Sequence, residues 1–121
     1  MRNTSGKLAV FCIYHICITQ KDLLNYCTKK NYTAPSWPED YWPKSKAPDS
    51  EKEWQELKNQ FEQTQKSLIA LLKKEETDLL QPVASTKKHS LLREIGLVIE
   101  HNAYHGGQLV ILLRLLGVIE N

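Results

Sequence analysis

The segment between residues 31 and 49 contains four prolines, Pro35, Pro38, Pro43 and Pro48. Proline fixes its own φ, lacks a backbone N–H and disfavours a helical conformation in the residue before it. No continuous helix can therefore pass through this segment, and the chain must fold as separate elements on either side. Loops of about twenty residues are uncommon within a compact domain, and a lid over a functional site is one explanation.

Apolar side chains recur at helical spacing on both sides of this loop. Before it, a stripe predicts a first helix over about residues 8–29, from Cys12, Ile16, Leu23 and Cys27. After it, Ser50 is followed three residues later by Glu53, the pattern of a capping box at a helix start. The apolar stripe that follows this box predicts a second helix over residues 51–74.

A third helix is predicted near the end of the chain, over residues 90–116. Pro82 marks the stretch before it as a connector, and Ser90 can serve as the N-cap. Gly117 is well placed as the C-terminal stop, because glycine readily adopts the left-handed conformation that ends many helices. The apolar stripe of this helix consists of Leu97, Val98, Leu109, Leu112 and Leu115.

Length and composition indicate one all-α domain. The 121 residues suffice for a single hydrophobic core, so residues 1–121 are interpreted as one domain. Hydrophobic residues make up 41% and charged residues 25%, which is ordinary globular composition, and helix-forming residues are abundant. The net charge of +2 comes from 16 basic and 14 acidic residues mixed along the chain, so no nucleic-acid partner is expected. No apolar run reaches the ~18 residues of a membrane span, so no membrane partner is expected either.

The cysteines indicate a reducing compartment. Cys12, Cys17 and Cys27 form no CxxC pair, and an odd number argues against a closed disulfide framework. The apolar run over residues 8–13 resembles the start of a signal peptide, but His15 interrupts the pattern and no small-residue cleavage site follows. A cytoplasmic location is therefore predicted.

The stripe of the third helix is interrupted in its middle by three polar side chains, His101, His105 and Gln108. Buried imidazoles need hydrogen-bond partners or a bound ion. Histidines at i and i+4 place two ring nitrogens on one helix face, as in HExxH zinc proteins, although the glutamate of that motif is absent here. This pair alone leaves two interpretations open, a metal site and a pair of hydrogen-bonded core histidines.

His15 favours the metal site. It lies on the first predicted helix beside the core stripe, and a histidine from a second helix completes a three-ligand site in helical bundles. Three imidazoles leave coordination positions for water or substrate, which is typical of catalytic zinc and also suits nickel or ferrous iron. His89 lies more than three turns before His101 and is not included in this site.

Three segments resemble one known family. LLREIGLVIEHNAYHGGQLVILLRLLG, residues 91–117, is similar to the last helix of DinB-like (DinB/YfiT) proteins. HICITQKDLLNYC and WPEDYWP, residues 15–27 and 37–43, resemble their histidine-bearing second helix and the loop after it. The likeness extends over about residues 14–118. It implies an antiparallel up-down four-helix bundle, usually a homodimer, with a divalent metal ion held by His15, His101 and His105.

Two features depart from that family. Its members have a complete helix before the one that bears the first histidine, so this bundle is expected to be incomplete at its N-terminus. The apolar face left uncovered would favour dimerisation. The pair Gly106 and Gly107 replaces a position where the family more often has a large residue. Each mid-helix glycine costs about 1 kcal/mol relative to alanine, and close approach of another helix is preferred here over a hinge as its explanation.

Further residues are candidates for supporting roles. Asp22 lies two turns after His15 and could orient a ligand imidazole through a second-shell hydrogen bond, but an exposed helix carboxylate is the preferred interpretation. Gln108 faces the same way as His105 and could bind a water, a substrate or a neighbouring carbonyl. Loop packing is preferred over a substrate platform for the aromatic residues Trp37, Tyr41 and Trp42.

The family resemblance implies a metal-dependent thiol (S-)transferase or a related enzyme. Such an enzyme would act on a small-molecule substrate with a low-molecular-weight thiol as cofactor. The alternatives are a non-catalytic, stress-associated metal-binding dimer and a truncated family member without activity. The spacing of the residues identifies neither a substrate nor a general base.

Overall fold

The computed structural model describes residues 4–44 and 50–120, with side chains described from residue 9 onward. The part described contains no β-strand, only an isolated bridge between Pro82 and Ser90, which confirms the all-α class. Three α-helices are present there, so the fourth helix of the expected bundle is not among the described elements. They are α1 (Thr4–Thr28), α2 (Glu51–Lys73) and α3 (Leu91–Leu115), with a short 3-10 helix at Glu39–Tyr41.

The helices begin where local chemistry predicts. α2 and α3 start and end within one residue of their predicted limits, whereas α1 begins four residues earlier than expected. The Ser50 hydroxyl accepts a hydrogen bond from the Glu53 amide at 3.2 Å, and the Ser90 hydroxyl accepts one from the Arg93 amide at 3.3 Å. Both caps satisfy amides that have no partner inside the helix.

Gly117 ends α3 as predicted. Its φ is +67°, a left-handed conformation that glycine adopts without steric penalty. The Gly117 amide donates to the Arg114 carbonyl, and the Val118 amide donates to the Leu113 carbonyl, both at 2.9 Å. This pair of bonds is a Schellman motif, which satisfies carbonyls at the helix end.

The central helix is α1. It packs against both α2 and α3, whereas within the described ranges no Cα atom of α2 lies within 8 Å of one of α3. α3 runs antiparallel to α1, because Cys27 near the end of α1 packs with Leu91 at the start of α3. None of the described helices is long and apolar enough to cross a bilayer.

The direction of α2 differs from the expected up-down order. Cys17 contacts the Leu57 carbonyl, and three residues further along α1 the Gln20 amide donates to the Phe61 carbonyl. The two helices therefore advance in the same direction and are parallel. Parallel neighbours need a long crossover connection, and α1 is about 37 Å long at 1.5 Å per residue. The proline-rich segment lies in this crossover, which accounts for its length.

Gln20 links α1 to both neighbouring helices. Its side chain is only 1% exposed. The amide nitrogen donates to the Phe61 carbonyl at 3.3 Å, and the amide oxygen accepts from Gln65 of α2 and from Asn102 of α3 at 2.9 Å. One buried amide thus connects both outer helices to α1 through hydrogen bonds.

The C-terminal half of α3 departs from the predicted core pattern. Leu115, assigned to the apolar stripe, is 80% exposed because no described element packs against it. A Cβ placed on Gly106 or Gly107 would meet no atom within 4 Å. The close helix approach expected at this pair is therefore wrong for contacts within the described part of the chain.

Candidate metal centre

The packing of α1 against α3 brings three histidines together. His15 lies near the middle of α1, and His101 and His105 lie one turn apart in α3. One ring nitrogen from each histidine lies within 4.8 Å of the other two. The Nε2 atoms of His15 and His101 are 3.1 Å apart. These three residues, predicted from the sequence to share one site, lie in one cluster in the structure.

Hydrogen bonds determine which ring nitrogens of His15 and His105 are available. The Nδ1 of His15 donates to the Tyr41 carbonyl at 2.9 Å, and the Nδ1 of His105 donates to the Gln108 side-chain oxygen at 2.7 Å. Because both acceptors are oxygens without a proton to give, each Nδ1 must carry the hydrogen. The Nε2 atoms of His15 and His105 then carry a lone pair and no hydrogen, which is the form that ligates metal. In this structure the Nε2 of His15 is at hydrogen-bond distance from the Nε2 of His101.

One of the nitrogen pairs already has the separation expected around a divalent ion, while the three nitrogens as a set lie within 4.8 Å of one another. Two imidazole nitrogens bound to tetrahedral zinc at 2.0–2.1 Å lie about 3.3 Å apart. The observed 3.1 Å between the Nε2 atoms of His15 and His101 is close to that value. Three nitrogen donors are a set that zinc, nickel and ferrous iron accept. The three histidines could therefore hold a metal ion and leave coordination positions for another molecule.

The environment keeps two of the imidazoles neutral. His15 is 4% exposed, and burial lowers the pKa of its imidazole. The hydrogen bond to the Tyr41 carbonyl partly offsets that decrease, and the nearby His105 lowers the pKa further. Burial, with the nearby His105 and His15, lowers the pKa of His101 to about 4. Both rings are therefore uncharged at neutral pH, and metal binding there does not have to displace a proton from an imidazolium.

An aromatic stack holds the His15 ring. Trp42 lies parallel to it, with ring centroids 3.9 Å apart and an interplanar angle of 7°. Phe11, one turn before His15 on α1, stacks on Trp42 at 5.0 Å. The predicted role of Trp42 in loop packing is thus observed, and the contact is with a candidate ligand. The contact between Trp42 and His15 was not predicted from the sequence. The feature that could have indicated it was the aromatic loop that follows the histidine-bearing helix.

Asp22 supports the loop and not a histidine. Its carboxylate accepts hydrogen bonds from the hydroxyls of Tyr32 at 2.8 Å and Tyr41 at 2.7 Å. Burial and this carboxylate raise the pKa of both phenols. The group that hydrogen-bonds the His15 imidazole is the Tyr41 carbonyl and not the Asp22 carboxylate. Asp22 reaches the site only through Tyr41, because it lies too far along α1.

Gln108 lies beside the histidine cluster, whereas His89 lies apart from it. Gln108 hydrogen-bonds the His105 ring itself, so it lies where a second-shell group would. His89 lies apart from the three histidines and contacts the Tyr26 hydroxyl at 2.9 Å and the Glu94 carboxylate at 3.6 Å. Its exclusion from the predicted site agrees with these contacts.

These features define an all-α protein with a three-histidine cluster that could hold a divalent ion. The sequence profile of the DinB superfamily matches residues 9–109, a span that includes all of α2, most of α1 and α3, and all three histidines of the cluster. The chain belongs to the DinB superfamily. Comparison with curated proteins and with solved structures gives no significant match.

Proposed function

We propose that this protein binds one divalent metal ion through His15, His101 and His105 and acts as a thiol-dependent transferase or a related enzyme. The observation that carries the proposal is the convergence of imidazole nitrogens on one point, with the Nδ1 atoms of His15 and His105 already engaged. Burying imidazoles side by side without a shared proton or ion is unfavourable. The family membership of the chain supports the same interpretation.

A divalent ion lowers the pKa of a thiol or water that it binds and polarises substrate oxygens. The residues of the chain supply the rest. The Tyr41 carbonyl and the Gln108 amide hold the imidazoles in the ligating tautomer, and Trp42 fixes the plane of the His15 ring. His101 and His105 are only partly buried, whereas His15 is fully buried, so a small molecule would approach from the α3 side.

Metal content measured by mass spectrometry tests the site. The wild type is expected to carry or take up close to one zinc, nickel or iron ion per chain. The double variant His101→Ala/His105→Ala is expected to lose the ion, and its melting temperature is expected to be insensitive to chelator. His89→Ala is the matched control, because His89 lies outside the cluster and should leave metal content unchanged. A wild type that cannot be loaded and melts identically with chelator would refute the proposal.

A second candidate function is a metal-stapled structural protein without catalysis. The observation that favours it is the chemistry around the rings. Apart from contacts among the three imidazoles themselves, the hydrogen bonds and ring contacts described for these histidines come from Trp37, Trp42, Tyr104, a backbone carbonyl and an amide. None of these is a general acid or base near neutral pH. Transfer of glutathione to 1-chloro-2,4-dinitrobenzene by the zinc-loaded protein separates the two. Transferase activity that disappears in the double variant favours the enzyme. A protein that carries its full complement of zinc but is inactive with several thiols favours the structural metal site.

We further propose a homodimer. On α3, the exposed residues Leu92, Ile99 and Val110 recur at helical spacing with the open glycines Gly96 and Gly107. An apolar stripe of this kind favours a second helix. Ile99→Glu is expected to convert a dimer to a monomer in light scattering, and the exposed Leu80→Glu on the connector is the control.

The three free cysteines support the proposed cytoplasmic location.

A further inference from the structure

Two aromatic rings stand exposed beside the histidine cluster, on different elements of the fold. Trp37, in the crossover loop, is 68% exposed, and its ring centroid lies 6.5 Å from that of His15. Tyr104, on α3, is 65% exposed and meets the His105 ring edge-on at 5.1 Å. Each ring therefore adjoins a different candidate ligand and also faces solvent.

The position of Trp37 does not depend on burying its ring. The Asp40 carboxylate accepts a hydrogen bond from the Ser36 amide at 2.9 Å, which closes the turn that contains Trp37. Beyond it, Tyr41 is tied to His15 through its carbonyl and to Asp22 through its hydroxyl. The Trp37 ring also packs against the Tyr41 ring, with centroids 5.3 Å apart. The loop thus positions the solvent-exposed indole of Trp37 at the edge of the histidine cluster.

Packing accounts for Trp42 but not for the exposure of Trp37 or Tyr104. An exposed indole forgoes most of the hydrophobic stabilisation that tryptophan provides when it is buried. Single exposed apolar residues are normal, but each of these two large rings contacts a residue of one cluster of ligand-type side chains, so each is positioned to meet a ligand held at that cluster. Rings of this kind attract other planar rings through offset-stacked and edge-on contacts beyond the gain from buried area.

We infer that Trp37 and Tyr104 form a binding subsite for a planar aromatic group on the substrate, next to the three histidines. This inference rests on the proposed function, since the donor atom of the substrate would lie at the ion while its ring lies against Trp37 and Tyr104. The subsite determines which substrates are accepted, and it takes no part in bond making or breaking.

The test uses the cobalt(II)-loaded protein and a pair of ligands that differ in one ring. Acetohydroxamate and benzohydroxamate present the same chelating group, and their dissociation constants are read from the visible spectrum of cobalt. The wild type is expected to prefer benzohydroxamate by about tenfold. Trp37→Ala and Tyr104→Ala are each expected to reduce that preference severalfold, whereas Trp37→Phe is expected to retain most of it.

Comparing ratios between variants cancels any intrinsic difference between the two hydroxamates. Leu80→Ala is the matched control, because Leu80 is an exposed apolar residue on the connector, and it should leave the ratio unchanged. A ratio that is the same in the wild type and both alanine variants, with the cobalt spectrum intact, would overturn the aromatic subsite and leave the metal site standing. A protein that takes up no cobalt would overturn both.

Discussion

The two ends of the interface between α1 and α3 are built differently. At one end, Cys27, Val83 and Leu91 form an apolar core with Tyr26, Leu71 and Ile95 packed against it. At the other end, His15 is enclosed by aromatic rings and by imidazoles from α3. The first end, called here the Cys27 end, stabilises the fold by apolar burial. The second, the His15 end, positions donor atoms, and much of its surroundings comes from a loop.

The ionisable groups at the two ends also differ. At the Cys27 end, Glu94 is 2% exposed and its carboxylate is paired with Arg93 and lies 3.6 Å from His89. A buried charge with a partner is satisfied within the protein. At the His15 end, the nitrogens of His15 and His101 face each other at 3.1 Å. Stability and the proposed ligand binding therefore belong to separate ends of one helix pair, and substitutions can separate them.

The largest expected effect is on stability and comes from the Cys27 end. Leu91→Ala removes a buried side chain of the apolar core, and such truncations cost about 2–5 kcal/mol. Urea unfolding of the metal-free protein should show this loss. Zinc affinity of the folded variant, measured by competition with a chelator, should match the wild type. A tenfold fall in zinc affinity would show that the two ends are not independent.

Gln20 lies between the two ends, and its replacement is expected to affect both. Gln20→Leu keeps the approximate volume but leaves the Asn102 and Gln65 amides without their acceptor, at a cost of about 1–3 kcal/mol. Because Asn102 adjoins His101, zinc affinity should also fall. Urea unfolding and chelator competition measure the two effects. An unchanged zinc affinity would mean that Gln20 stabilises the helix packing without positioning the site.

A smaller effect, confined to the His15 end, is expected for Gln108. Gln108→Leu removes the acceptor for the His105 Nδ1 and should weaken zinc binding about tenfold, as losses of such supporting bonds do. Gln108 is exposed, so the unfolding free energy of the metal-free protein should stay within about 0.5 kcal/mol of the wild type. Gln55→Leu, at an exposed glutamine of α2, is the control. Equal affinities for both variants would contradict the role given to Gln108.

The smallest effect concerns cysteine reactivity and involves no change of stability. Burial raises the pKa of Cys17 to about 11, and burial with the nearby Glu94 raises that of Cys27 to about 11. At pH 8 about one thiol in a thousand is then ionised at these positions. Iodoacetamide should therefore modify the half-buried Cys12 first, as mass spectrometry would show. In urea all three should react alike; equally fast labelling of Cys27 in the native protein would contradict the tight packing of the Cys27 end.

Local chemistry made most of the secondary structure predictable. Ser50, Ser90 and Gly117 act within a few residues of their own positions, so their effects could be read directly from the sequence. Periodicity likewise located the three helices within a few residues. It failed at Leu115, since apolar spacing shows which face a residue lies on and cannot show whether anything covers that face.

The candidate site was predictable in its members and not in its surroundings. Residues at i and i+4 share a helix face, so His101 and His105 could be paired from spacing alone. The place of His15 beside the core stripe of the first predicted helix added the third ligand, and the family resemblance supported it. The Tyr41 carbonyl and the Trp42 ring could not be assigned to His15, because they reach it through a loop. The partners of Asp22 could not be predicted for the same reason, since Tyr32 and Tyr41 belong to that loop.

By itself, the sequence determined the all-α class, the helices to within a few residues, the position of the loop and the pairing of His101 with His105, because these depend on residues close together in the chain. His15 was added because it lies beside the core stripe of another predicted helix and because of the family resemblance. Only the tertiary structure decided that α1 and α2 run parallel, with the proline-rich segment in the crossover between them. It also decided that Gln20 ties three helices together and that Trp37 stays exposed beside His15. Such contacts join residues far apart in sequence, and their geometry follows from how whole helices pack.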